Sequence, residues 1–169
     1  MNARDVVDIA NLRNSPLEVV ESTSGVRILN YALRPDSGGA GKYRGGMGII
    51  FDFEVLQHDC LVTARGQERH RFSPWGLLGG CCGEMAGVFI RRAGTKDFQP
   101  LAKIDSLNVN CGDVIRVLTP GGGGYGSPQD RDPAKVLHDV GNGLVSEKAA
   151  RETYKVVIED GALDLAGTE

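Results

Sequence analysis

The sequence has 169 residues and a mass of 18.0 kDa, enough for one domain with a small appendage. Hydrophobic residues make up 41% and charged residues 24%, the proportions of an ordinary globular domain, which excludes a disordered or fibrous chain. With 19 Lys and Arg against 22 Asp and Glu the net charge is -3, and no apolar run approaches the roughly 18–20 residues that span a bilayer, so neither nucleic acid nor a membrane is an expected partner.

Asp5 and Asp8 near the start are unlike a signal peptide, and a cytoplasmic location is expected. Asn11 to Ser22 combines a turn with a short helix, for which Ser15 is the expected cap and Pro16 the first helical residue. Val26 to Arg34 is β-branched and aromatic, with Val26, Ile28 and Asn30 on one side and Arg27, Leu29 and Tyr31 on the other, the alternation of a strand. Between Arg34 and Gly48, six of fifteen residues are glycine, which predicts an ordered loop or polyproline-like backbone. Ile49 to Gln57 alternates Phe51 and Phe53 with Asp52 and Glu54. A turn at His58 and Asp59 leads to Cys60–Gly66, and the two runs read as a hairpin.

A second glycine-rich stretch, RHRFSPWGLLGGCCGEMAG, places glycines at 76, 79, 80, 83 and 87 after Pro74 and Trp75. Gly87 to Gly94 reads as a strand, and so does Val114 to Leu118 between the Gly112–Asp113 turn and Pro120. The third glycine block is Thr119 to Gly126. Asp132 then caps a helix with Pro133 at its first position, Val136, Leu137 and Val140 on its apolar face, and Gly141 to Gly143 at its end. Ser146 caps a second helix running to Tyr154, packed through Ala149, Ala150 and Tyr154, and Lys155 to Glu159 is a short strand. The expected class is mainly β, a β-rich α+β fold with glycine-rich, polyproline-II-like segments and a helical C-terminal appendage. Its divisions fall at 1–25 (lead-in), 26–128 (β-rich body) and 129–169 (appendage).

Glycine accounts for 24 residues, beside 5 Phe, 4 Tyr and one Trp. TPGGGGYG invites comparison with a phosphate loop, but no Gly-Lys-Ser/Thr follows it and the next helix starts only at Asp132. The favoured reading is structural: glycine lets extended segments lie together with no Cβ between them, and the three blocks form a bundle. The four cysteines, at 60, 81, 82 and 111, lack zinc spacing and read as reduced thiols, part of them buried. Around the loops stand Asp36, Lys42 and Arg44, and then QERHR from Gln67 to Arg71, either an anion-facing cluster or a solvated loop tip. His70 beside Glu68 has the chemistry of a general acid or base but no identifiable nucleophile, and no metal-ligand spacing is present.

Three motifs in order, LRPDSGGAGKYRGGMG, RHRFSPWGLLGG and GDVIRVLTPGGGGYGSPQDRDPAKVLHDVGNGLVSEKAARETYKVVI, resemble the C-terminal part of the hydantoinase B/oxoprolinase family over roughly residues 11 to 160. That family includes B subunits of ATP-dependent hydantoinases, the matching half of 5-oxoprolinase, and subunits of acetone and acetophenone carboxylases. The resemblance implies a hydantoinase A-type partner that phosphorylates an amide or ketone oxygen with ATP, and a B-type subunit that completes hydrolysis or carboxylation. It also implies a bundle of polyproline-like helices. The N-terminal B-type portion, with the carboxylates and histidines associated with a catalytic metal, has no counterpart in this sequence. ATP and a divalent metal are therefore expected in partner subunits, with no cofactor on this chain, which is expected to be inactive alone.

Beginning at Met1, the chain reads as a split subunit, a truncated product or a fragment, and such a piece is expected to expose an apolar patch. CCGEMAG departs from the turn that relatives carry. No catalytic residue carries over; Asp36, Arg44, Arg69, His70 and Trp75 are the candidate positions. A non-catalytic binding or scaffold domain that keeps the fold is the alternative.

Overall fold

The computed structural model describes residues 15–64, 70–101, 104–159, 161–164 and 167. Among them the fold is mainly β, with three sheets and few helices. Helix α1 (Leu17–Ser24) precedes β1 (Val26–Leu33), and Gly25 makes the corner with φ 62°, a left-handed conformation that suits glycine. Pro16, not Ser15, occupies the cap position, and no side chain caps the helix: proline offers a fixed φ but no acceptor.

A five-stranded sheet has the order β1-β2-β7-β4-β5, built from β1, β2 (Ile49–Val55), β7 (Val114–Leu118), β4 (Gly87–Arg91) and β5 (Gln99–Leu101), all paired antiparallel. The alternation expected for β1 holds: Val26, Ile28 and Asn30 are half-buried and Arg27, Leu29 and Tyr31 exposed. The expected hairpin of β2 with β3 (Cys60–Ala64) does not form. Both edges of β2 are taken, by β1 and by β7, whereas β3 pairs with β6 (Ile104–Val109) in a separate two-stranded sheet. Asp59, with φ 54°, turns the chain out of the first sheet and into the second. A packed core joins Val55, Val88, Ile90, Val109 and Ile115, with Cys60, Val62 and Leu107 among the residues that β3 and β6 add around it.

The C-terminal part has its own apolar cluster. Helix α2 (Pro133–Gly141) is capped by Asp132, whose carboxylate accepts the Ala134 N–H, and α3 (Glu147–Glu152) by Ser146, whose hydroxyl accepts the Ala149 N–H. The chain leaves α3 before Tyr154 and enters β8 (Val157–Glu159), which pairs with β9 (Ala162–Asp164). Val136, Val145, Ala150, Tyr154, Val156 and Ile158 are buried together, and Ala40 of the first glycine segment packs against them.

The three glycine segments form the expected bundle, each bonded to both others. Gly39 N–H donates to Gly122 O at 2.8 Å, Cys81 N–H to Ala40 O at 2.7 Å, and Gly124 N–H to Cys81 O at 2.9 Å. The third segment is held from two sides: a Cβ on Gly121 would collide with the Ser37 carbonyl, and one on Gly123 with the Trp75 carbonyl. Only glycine permits that approach.

Candidate functional site

The glycine bundle is tied to the C-terminal helices by ions and by main chain. Asp139, buried on α2, accepts from Arg44 Nε at 3.1 Å and from Arg131 Nη2 at 2.7 Å. Arg44 also donates through Nη1 to Gly45 O at 2.8 Å, and Arg131 through Nη1 to Lys42 O at 3.2 Å, so both guanidiniums grip the first glycine segment. Two cations therefore surround one carboxylate, and the buried Arg131 Nε has no hydrogen-bond partner among the described residues. Beside them Asp36, at φ 57°, donates its N–H to Leu144 O at 3.0 Å and accepts the Ser146 N–H on Oδ1 at 2.8 Å.

Above this junction lies a cavity of about 230 Å³ whose lining includes Asp36, Ala40, Cys81, Cys82, Thr153 and Tyr154. Burial pushes the Tyr154 phenol above its ordinary range, against the opposing pull of Arg131 and Arg44, so it is a neutral hydrogen-bonding group at physiological pH. Both thiols are exposed to the cavity side of the bundle; Cys111 is exposed elsewhere, and only Cys60 is part-buried, packed against the sheet core, so less of the cysteine is buried than expected. The groove offers thiols, a hydroxyl, a phenol and a carboxylate, with no histidine among the described residues that line it. That set suits holding a ligand or an inserted segment better than shuttling protons.

The glycine block at Thr119–Gly126 is not an anion cradle. The N–H groups of Gly121, Gly122, Gly124, Tyr125 and Gly126 donate to the carbonyls of Glu84, Gly46, Cys81, Tyr43 and Leu77. Among the described residues no group of three or more His, Cys, Asp and Glu converges where it could hold a metal ion, so the side chains present do not form a donor set for a divalent cation.

Of the candidate positions, Asp36 and Arg44 come together at the bundle–helix junction. Trp75 lies apart from them on the second glycine segment, its carbonyl against Gly123 and its side chain exposed. His70 is half-buried at the start of the segment leading to Trp75, and Arg69 lies outside the described residues. Sequence reasoning missed Asp139 and Arg131. The signal was present: Asp139 follows Val136 by three positions and so falls on the face that α2 buries, where a carboxylate requires a cation.

The family model of hydantoinase B/oxoprolinase matches residues 3–128. The chain belongs to the hydantoinase B/oxoprolinase family. The beta subunit of caprolactamase from Pseudomonas jessenii is 37% identical over 161 residues, 93% of this chain and 28% of the relative. The crystal structure of the ATP-dependent caprolactamase from Pseudomonas jessenii superposes with a TM-score of 0.81 at 33% identity, over 94% of this chain and 28% of that one. Nucleotide-free acetone carboxylase superposes with a TM-score of 0.75 at 26% identity, over 91% of this chain and 25% of that one. The chain spans between 9% and 28% of the length of the curated relatives it matches.

Proposed function

We propose that this chain forms part of a B-type subunit in an ATP-dependent complex that hydrolyses a cyclic amide, as hydantoinases and oxoprolinases do, or carboxylates a ketone. The observation that carries this reading is the superposition of 94% of the chain on an ATP-dependent caprolactamase at a TM-score of 0.81. A hydantoinase A-type partner supplies ATP and a divalent metal in this reading, and activates the amide or ketone oxygen. This chain contributes a rigid glycine-bundle scaffold and the groove beside it. Its candidate positions act by placement: Asp36 and Arg44 hold the bundle to α2 and α3, and Trp75, with His70 before it, belongs to the side facing a partner.

The bundle is proposed to use polyproline-II-type backbone, a geometry supported by three extended segments with glycines at their contacts. The divisions at 1–25, 26–128 and 129–169 belong to the same proposal and are supported by the separate apolar clusters of the sheet and the helices. So does a cytoplasmic location, where ATP is available; no described helix is long and apolar enough to cross a membrane.

The test is co-expression with an A-type subunit and the remaining B-type polypeptide, followed by native mass spectrometry. ATP-dependent opening of a hydantoin, 5-oxoproline or another lactam, or ketone carboxylation, is then assayed. The expected result is a hetero-complex with an ATP-dependent activity that the chain lacks alone. A chain that ignores both partners overturns the reading and leaves a non-catalytic scaffold.

A further inference from the structure

The three glycine segments meet at Tyr125, which bridges to Tyr43 antiparallel and to Leu77 parallel. What they present there is apolar. Tyr43 is 61% exposed, Leu77 56% and Tyr125 47%, and the two tyrosine rings lie 6.1 Å apart. Trp75, 67% exposed, stands two residues before Leu77, just as Gly123, which its carbonyl abuts, stands two before Tyr125. Neither Pro74–Gly80 nor Thr119–Ser127 contains a charged residue.

Leu78 sharpens the picture. At 75% it is the most exposed large apolar residue described, and its φ is 48°. A left-handed leucine is disfavoured by its own Cβ, and an apolar side chain in water returns nothing for that strain. Glycine, which follows at positions 79 and 80, is the residue such a turn favours. The first segment does bring charge, Lys42 and Arg44 on either side of Tyr43, but a strained, aromatic-rich and largely apolar face is the composition of a buried interface core.

We propose that the face formed by Tyr43, Trp75, Leu77, Leu78 and Tyr125 is the surface on which the remaining B-type polypeptide packs. This rests on the B-type reading above. The occupant follows from length: the superposition takes in 94% of this chain but only 28% of the caprolactamase chain, so the larger part of a B-type polypeptide lies outside this fold and is at hand to cover its exposed apolar face. A largely apolar patch suits contacts that are never dissolved, of the kind made within one subunit.

Trp75 is the sole tryptophan, so 5-fluorotryptophan places one fluorine probe on the proposed face. The full chain, wild type and the variants Leu77→Asp and Leu78→Gly, is titrated with the remaining B-type polypeptide made as a separate chain. Association is read by native mass spectrometry and by the fluorine resonance. The proposal expects the resonance to shift on association and both variants to weaken binding at least about tenfold. Leu78→Gly, relieved of its strain, should meanwhile raise the melting temperature of the chain alone by about 2–4 °C, which separates lost contact from lost fold.

Association with an unmoved resonance and unweakened variants overturns the face and leaves the B-type reading standing. No association at all overturns both. A concentration-dependent dimer of the chain alone that shifts the same resonance gives the face to a second copy and overturns the proposal.

Discussion

In the five-stranded sheet, Val88, Ile90 and Ile115 fill the space between neighbours with branched side chains, and the strands lie apart at ordinary spacing. In the glycine bundle almost nothing stands between Gly121 and Ser37, or between Gly123 and Trp75, but backbone. The first region tolerates exchange among apolar residues of similar volume. The second does not, because a carbonyl against a Cα has no rotamer through which to yield. The ion pairs differ in the same sense. Arg92 and Arg116 pair with Asp113 and Asp52 from half-open positions, with 41% and 35% of their side chains exposed, whereas Arg44 and Arg131 close on Asp139 at 15% and 10%.

The largest expected effect follows from the backbone contact. Gly123→Val drives a branched side chain into the Trp75 carbonyl and should destabilise the chain by more than about 4 kcal/mol, whereas Ile90→Val in the sheet core costs about 1 kcal/mol. Chemical denaturation of the two variants measures both. Equal losses would mean that the bundle relaxes around a side chain and that the contrast with the sheet is false.

Next comes the buried carboxylate. Asp139→Asn leaves two enclosed guanidiniums without a counter-charge and should cost about 3–5 kcal/mol, loosening the first glycine segment from α2. Asp52→Asn is expected to cost less, because Arg116 is more open to water and also stacks on Phe98 at 4.2 Å. Amide exchange across residues 38–48 locates the loss. Unchanged protection there in the Asp139 variant would show that the junction does not depend on the ion cluster.

The difference between the regions also explains what could be read from the sequence. β1 was legible because alternate residues face alternate environments, and α2 and α3 because Asp132 and Ser146 are caps whose side chains bond as their positions predict. The bundle was legible in outline: glycine excess in three blocks signals backbone contact, although it does not say which glycine meets which carbonyl. The hairpin of β2 with β3 failed because adjacency in sequence competes with pairing by β7, some sixty residues on, and no local signal ranks the two. β5 is three residues long and contains Pro100, and among the described side chains of β6 only Leu107 and Val109 form an inward pair, so neither offers a period. At the junction Asp36 and Arg44 were found as motif residues, but their partners Ser146 and Asp139 lie about a hundred residues away, and only the fold supplies that proximity.

A pH profile sharpens the comparison on the sheet side. Burial raises the Asp113 pKa, but the N–H groups of Ala93 and Asn110 and the Arg92 guanidinium outweigh it and hold the carboxyl below its ordinary range. A lowered folded pKa stabilises fully above the unfolded value of about 3.9 and ceases to do so as pH falls through the folded value. Asp113→Asn should therefore cost about 2 kcal/mol at neutral pH, and the gap between variant and wild type should begin to close near pH 4 and narrow further as pH falls toward the lowered folded value. Melting curves from pH 7 to pH 3 test this. A gap that stays constant with pH would assign the residue's contribution to shape alone.

The smallest effect is the control for the glycine argument. Gly141 is the last residue of α2, exposed, with no heavy atom within 4 Å of where a Cβ would stand and no positive φ to be strained. Nothing there requires glycine. Gly141→Ala should stabilise the chain by about 0.5–1 kcal/mol by restricting the unfolded state and favouring the last helical turn. The same exchange at Gly121, where the added carbon meets the Ser37 carbonyl, should destabilise it. Opposite signs for one chemical change would separate glycine used for close approach from glycine that merely ends a helix. A destabilising Gly141→Ala would mean that crowding at the Cβ position is not what decides which glycines this fold requires.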